Sequence, residues 1–215
     1  MFARIYHFLR GPNPLHPNVW TGRLAPITFR RLVPEDIPQC LELYVRNEKE
    51  RFPQGVIGEY EKCLTEESCY FLVAEREGRI IASGGVSYSI RRDIAVFSFG
   101  LIHPDHQSKG IGTALVLARL ALLNPDCFSY HVLIFAVEKS IGFYQRFGFE
   151  SYRRWKDSQG QDHPSGHLLI MSSEIRRCRH LLEAHGVVVP PDQDRVPFRP
   201  QWVIRQTATA PVEPK

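Results

Sequence analysis

No stretch of this chain approaches the roughly 18 consecutive apolar residues needed to cross a bilayer. Its start lacks the charged, apolar and small-residue order of a secretory signal. Cysteine is sparse and unpatterned. Cys40, Cys63, Cys69, Cys127 and Cys178 make an odd number with no C-x-x-C spacing, which argues against a disulfide framework and a structural zinc site and for a reducing, cytoplasmic setting. Charge of one sign is also lacking. Lys and Arg number 27 against 23 acids, a formal net charge of +4, too small and too scattered for a nucleic-acid-binding face but favourable to an anionic ligand. The first 34 residues have no acid and no serine, only basic residues such as Arg4, Arg10, Arg23, Arg30 and Arg31. Phe2, Ile5, Tyr6 and Leu9 recur there at helical spacing, and three prolines follow. An organelle-targeting segment would be Ser-rich. A membrane-surface helix and an arm packed on the domain or on a partner remain as readings, the arm being preferred.

What is present is an ordinary globular composition, 43% hydrophobic and 23% charged over 215 residues, enough for one domain with a full core. Residues 1–24 read as an N-terminal extension, since Pro12, Pro14 and Pro17 interrupt any helix. Ile27–Leu32 alternates as a strand, and Pro34-Glu-Asp-Ile37 opens a helix whose apolar stripe is Ile37, Cys40, Leu41 and Tyr44. A looser helix covers Gly55–Leu64. Tyr70–Ala74 and a strand from Ile80 form a hairpin turning at Glu77-Gly78. A strand from about Ile94 to His103 leads to a helix over Gly110–Leu123, stopped by Asn124-Pro125. Arg119 is the only charge of that helix, which implies burial on most sides.

Next come a strand over His131–Val137, a short helix over Lys139–Phe147 ended by Gly148, and two closing strands at Arg153–Trp155 and His167–Met171. Ser172 or Ser173 is positioned to cap a last helix with Glu174 in its first turn and no capping box. Residues 174–215 read as this helix and a Pro-rich tail, leaving 25–173 as the domain. Strands before, between and after helices give an α+β or α/β domain on one mixed sheet.

The run from Leu101 to Leu115, LIHPDHQSKGIGTAL, carries the chemistry. A strand enters a turn, and Gln107-x-x-Gly110-x-Gly112 opens a helix. Free N–H groups and the positive dipole end make this an anion site, glycine lets backbone approach a pyrophosphate, and Lys109 adds a point charge. Neither the G-x-G-x-x-G dinucleotide fingerprint nor a G-K-[ST] ending is present.

This run, H-P-D-x-Q-x-x-G-x-G-T-A-L after a strand, resembles the acyl-CoA-binding motif of the GNAT superfamily. Lys139–Phe149, KSIGFYQRFGF, resembles that family's next motif, and Phe29–Ile37 its usual start. The resemblance spans roughly Ile27 to Ser173. It implies a mostly antiparallel mixed sheet of about six or seven strands flanked by about four helices, with a V-shaped split between the fourth and fifth strands. It implies an acyl-CoA-dependent N-acetyltransferase that moves acetyl from acetyl-CoA directly to a primary amine in a ternary complex, with no metal.

Carried over, backbone of Gly100, Leu101 and Ile102 holds pantetheine. The loop Gln107, Ser108, Lys109, Gly110, Ile111, Gly112 and Thr113 holds the pyrophosphate, with Thr113 capping, and Ser140 joins the cofactor set where many relatives have alanine. A strand N–H polarises the thioester carbonyl as an oxyanion hole does, and Tyr144 protonates the leaving thiolate. Val137 replaces a frequent asparagine.

Many relatives carry a glutamate base on the strand before the loop, where this chain has Val96 and apolar neighbours. An alkyl ammonium of pKa about 10.4 must still lose a proton before attack, and Ser98, His103, His131, a water chain or an already neutral amine stand as alternatives. The His103-x-x-His106 spacing is explained by the turn rather than by a metal.

The resemblance assigns acceptor recognition to Arg46–Glu61 and Trp155–His167. There Glu48, Glu50, Glu59 and Glu61, or Asp157, Asp162, His163 and His167, serve either recognition or a solvated face. A non-catalytic acyl-CoA-binding domain and a transferase of longer acyl chains are the alternative functions. Partners are acetyl-CoA, an amine, and a second copy of the chain through the arm or tail.

Overall fold

The computed structural model describes residues 15, 24–51, 56–66, 69–88, 94–125, 129–156, 160 and 162–191. The N-terminal extension apart from Leu15 and Leu24, most of the late loop 157–161 and the Pro-rich tail beyond 191 lie outside the described residues.

Among the described residues eight strands form one sheet: β1 Ile27–Arg31, β2 Cys69–Arg76, β3 Arg79–Tyr88, β4 Ile94–Ile102, β5 Ser129–Phe135, β6 Glu150–Lys156, β7 Asp162–Met171 and β8 Val187–Val188. Their order is β6-β7-β5-β4-β3-β2-β1-β8. All neighbours are antiparallel except β4 with β5 and β1 with β8. The hairpin β2–β3 turns at Glu77 and Gly78, both at positive φ (54° and 72°), a turn whose hand matches strand twist.

Five α-helices are described: α1 Ile37–Arg51, α2 Ile57–Thr65, α3 Ile111–Ala121, α4 Ile141–Gln145 and α5 Ser172–Ala184. Their limits refine the sequence reading. The first helix is preceded by a single 3-10 turn, Pro34–Asp36, and the short helix before Phe147 is divided between a 3-10 turn, Glu138–Ser140, and α4. The last helix begins at Ser172 with Met171 as its cap residue rather than either serine, and the Met171 N–H donates to the Glu174 carboxylate at 3.2 Å. The eighth strand, two residues long, is the one beyond the expected six or seven.

Two hydrophobic layers sandwich the sheet. On one face α3 and α5 pack over Phe29, Leu72, Ala82, Phe97, Val132 and Ile134. On the other, α1 and α2 cover Phe71, Val73, Ile80 and Leu101. Nine of the eleven α3 residues are buried because this helix lies between the sheet and α5. Gly84 of β3 permits the close approach: a Cβ there would meet Leu115 of α3 at 3.1 Å. The C-terminal helix contributes Ile175, Cys178 and Leu182 to this core, and β8 adds Val187 beside β1. The Leu15 N–H donates to Glu174 at 2.9 Å, and the Leu15 side chain is buried, so one residue of the N-terminal extension is seated on the start of α5.

Candidate active site

The site begins where the sheet comes apart. Strands β4 and β5 pair from Ile94↔His131 to Phe97↔Ile134, and there the ladder ends. Strand β4 runs on to Ile102 without β5 as a neighbour. The departure coincides with a bulge. Ser98 opposes Gly85 and Leu101 opposes Ser83, so Phe99 and Gly100 together face Gly84 alone. Phe99 takes φ 45°, a left-handed conformation that costs a side-chain-bearing residue about 1–2 kcal/mol. Its ring is held on the α1–α2 face against Tyr60, at 4.8 Å between centroids, and Tyr44, at 6.5 Å. Aromatic packing therefore anchors the kink, and the kink frees the backbone of Gly100 from regular pairing on that side.

Beyond Ile102 the chain makes a 3-10 turn, Pro104–His106, and enters α3 through Gln107–Gly110. Ser108 and Gly110 both have positive φ, 58° and 84°. Gly110 is the N-cap of α3, and no side chain caps that helix. The N–H groups of its first turn belong to Ile111, Gly112 and Thr113, so Thr113 stands inside the helix rather than at its cap. The loop is fastened from behind. The Gln107 amide donates to the Ile102 carbonyl at 3.1 Å and to Asn47 of α1 at 3.3 Å, and Asn47, itself buried, donates to the Leu43 carbonyl. Gln107 thus ties the loop to β4 and to α1, a structural use of its side chain that the sequence did not separate from ligand binding.

Positive charge gathers around the loop. Burial first, then Lys109, Arg76 and His103, hold the His106 imidazole below its ordinary pKa, which marks a local field suited to an anion. Arg76, at the end of β2, was not singled out from sequence; only the hairpin geometry brings it here. His103 uses Nδ1 to accept the Asp105 N–H at 3.3 Å, and its ring lies 5.7 Å from that of His106. The described residues include no cluster of three or more metal-ligating side chains.

Tyr144, the candidate acid, is half-buried in α4 and packs edge-on against Phe143 (5.1 Å) and Phe149 (5.6 Å). Its hydroxyl reaches the bulge: a Cβ on Gly100 would stand 3.3 Å from it. The fold therefore unites Tyr144 with Gly100, which sequence left 44 positions apart. Ser140 is elsewhere engaged, its hydroxyl donating to the Val137 carbonyl at 2.8 Å. Of the candidate bases, Ser98 and His131 are half-buried on β4 and β5, on the opposite sheet face from the buried Phe97, Val132 and Ile134, and His103 is turned toward its own 3-10 segment. Val96 pairs with Leu133 on that same face, so apolar residues line it beside Ser98 and His131, as the sequence implied.

Residues 67–151 match the family model of the acetyltransferase (GNAT) domain. Over that segment, from β2 to the start of β6, the chain is similar to that domain. Among solved structures, smu.2055 from Streptococcus mutans superposes with a TM-score of 0.52 at 23% identity, over 67% of this chain and 98% of that one. The ribosomal-protein-S18-alanine N-acetyltransferase from Escherichia coli gives 0.50 at 19% identity, over 66% and 93%. A chimera of the spermidine N-acetyltransferase SpeG from Vibrio cholerae and hSSAT gives 0.51 at 18% identity, over 71% and 99%. These likenesses establish the fold. No curated protein matches the sequence.

Proposed function

We propose that this protein is an N-acetyltransferase that moves the acetyl group of acetyl-CoA directly to a primary amine in a ternary complex. The observation that carries the reading is the convergence of three features at one place: the β4–β5 split, the bulge at Phe99–Gly100, and the Tyr144 hydroxyl. In this reading pantetheine lies along the backbone of Gly100, Leu101 and Ile102, on the side that β5 leaves. The pyrophosphate rests on Gln107 to Thr113, where helix-end N–H groups and the charge of Lys109 favour it. A bulge N–H polarises the thioester carbonyl. The amine nitrogen attacks, the C–N bond forms, the C–S bond breaks, and Tyr144 gives its proton to the departing sulfur.

The amine must arrive neutral or lose its proton to Ser98, His131 or water on the open face of β4 and β5. The solved relatives named for spermidine and for a ribosomal-protein alanine make a polyamine and a peptide α-amine the first acceptors to offer. Exposed Glu59 and Glu61 on α2 would favour a cationic one. The reading keeps the cytoplasm as its setting. The described helices include none long and apolar enough to cross a membrane.

The test is the thermal midpoint of the purified protein alone, with acetyl-CoA and with CoA. Both ligands should raise it, by an amount corresponding to about 2.7 kcal/mol at a hundredfold excess over Kd. No rise at millimolar ligand overturns the reading. A rise without acetylated product from a broad amine panel would turn it into a non-catalytic acyl-CoA-binding domain.

A further inference from the structure

Arg119 is the largest fully buried side chain described, 1% exposed, in the middle of an otherwise apolar helix. A guanidinium is always charged at working pH, and burying it without an anion is costly. No carboxylate acts on it among the described residues. Its surroundings are the Phe97 ring, 4.4 Å below the guanidinium carbon, the Leu115 carbonyl, which accepts from Nε at 3.4 Å, and the Tyr144 hydroxyl, which approaches the same glycine, Gly100. Nη1 is buried and has no partner among the described residues. Nη2 and Nη1 lie 3.2 and 3.6 Å from the point where a Cβ would stand on Gly100, the point from which the Tyr144 hydroxyl is 3.3 Å away. A buried cation, an uncommitted N–H and a phenol therefore meet at the one glycine of the β4 bulge.

We infer that Arg119 is a positioning residue for protonation of the leaving thiolate; this rests on the reading of Tyr144 as the acid. Arginine only donates. When it donates to the Tyr144 oxygen, the phenolic hydrogen must point away from it, toward the split, so Tyr144 becomes a one-way donor to sulfur. As the C–S bond breaks, its electron pair goes to sulfur. The proton passes from Tyr144 to that sulfur, and the phenolate left behind lies beside a full positive charge until solvent reprotonates it. The proton lost by the amine leaves to solvent. The missing counter-charge of Arg119 is thus supplied by the reaction itself, and Gly100 is the residue whose lack of a side chain keeps the meeting point open.

The experiment needs no acceptor. CoA bound to the protein carries the thiol that the reaction releases, and the ultraviolet absorbance of its thiolate, taken as the difference between the CoA and acetyl-CoA complexes, can be titrated. A free thiol ionises near pH 8.5. In the wild type the bound thiol should ionise lower, and Arg119→Met should raise the midpoint by about one pH unit, a tenfold smaller thiolate fraction at a given pH. Thermal stability should be retained, since an apolar replacement of a buried charge is neutral or stabilising. Tyr144→Phe should also raise the midpoint, and adding Arg119→Met to it should change little further, because Arg119 acts through Tyr144.

An unchanged midpoint in Arg119→Met overturns the inference, as does an undiminished effect in the Tyr144→Phe background. Arg119→Gln, which keeps a donor without charge, carries the same test if the Met variant does not fold. An unchanged midpoint in Tyr144→Phe sinks the acid assignment, and CoA that fails to bind the wild type sinks the acyl-CoA reading as a whole.

Discussion

Asp36 is 5% exposed at the mouth of α1, yet it is charged. Its two oxygens accept from the Arg30 guanidinium at 2.6 and 2.8 Å, and one also accepts the Val33 N–H at 2.9 Å. The Arg30 bond, assisted by the Val33 N–H and opposed by burial, holds the carboxyl below its ordinary pKa. A carboxyl with a depressed folded pKa contributes stability that is present above its unfolded value, near 4, and is lost as pH falls through the folded one. Asp36→Ala should therefore cost about 1–3 kcal/mol at neutral pH. The gap between the variant and the wild type should close below about pH 4, as read by denaturant unfolding across pH. The partial exposure of Arg30 places the expected cost toward the lower end. The sequence marked Pro34-Glu-Asp only as the opening of a helix; that Arg30, on the preceding strand, would clasp one of its acids required knowing where β1 turns into α1.

The element that matters most is the turn into α3. Gly110 holds φ 84° as its N-cap, so Gly110→Ala should lose about 1–2 kcal/mol from the left-handed backbone alone. In a chain of this size that lowers the thermal midpoint by several degrees, at about 2–4 °C per kcal/mol. If the turn also cradles phosphate, the added Cβ should weaken acetyl-CoA binding beyond the stability loss, which titration calorimetry on the folded variant would resolve.

Several elements were legible because their signals are local. Glu77-Gly78 marks a hairpin turn, Asn124-Pro125 stops α3, and the apolar run after Gly110 demands a buried helix. The bulge at Phe99–Gly100 was not legible, since nothing local drives a phenylalanine to positive φ. It is imposed by Tyr44 and Tyr60, residues from α1 and α2. Likewise Arg119 read as a lone charge on a buried helix, and only the packing of β4, α3 and α4 shows what it faces. Strand β8 is two residues long, too short for any period to show.

For the whole molecule, the glycine-loop helix is stabilised from the C-terminal side. Leu182 of α5 is fully buried in the core shared with α3. Leu182→Ala should cost roughly 2–5 kcal/mol, measured by chemical denaturation, while the stabilisation added by acetyl-CoA should stay unchanged, because the residue supports α3 from the side away from the site. A loss of ligand response in the folded variant would contradict that division of labour.

The sheet's two margins are unequal. On one side β8 covers only Ile27 and Thr28 of β1 and is itself too short to template another strand. On the other, the seven-residue β6 has no further strand beside it among the described residues. Unpaired strand edges are where chains add to one another. If copies of this protein ever extend their sheets across a boundary, the continuous surface for doing so is at β6, and a lysine or proline introduced there would guard the molecule against such growth where the same change beside β8 would have little to prevent.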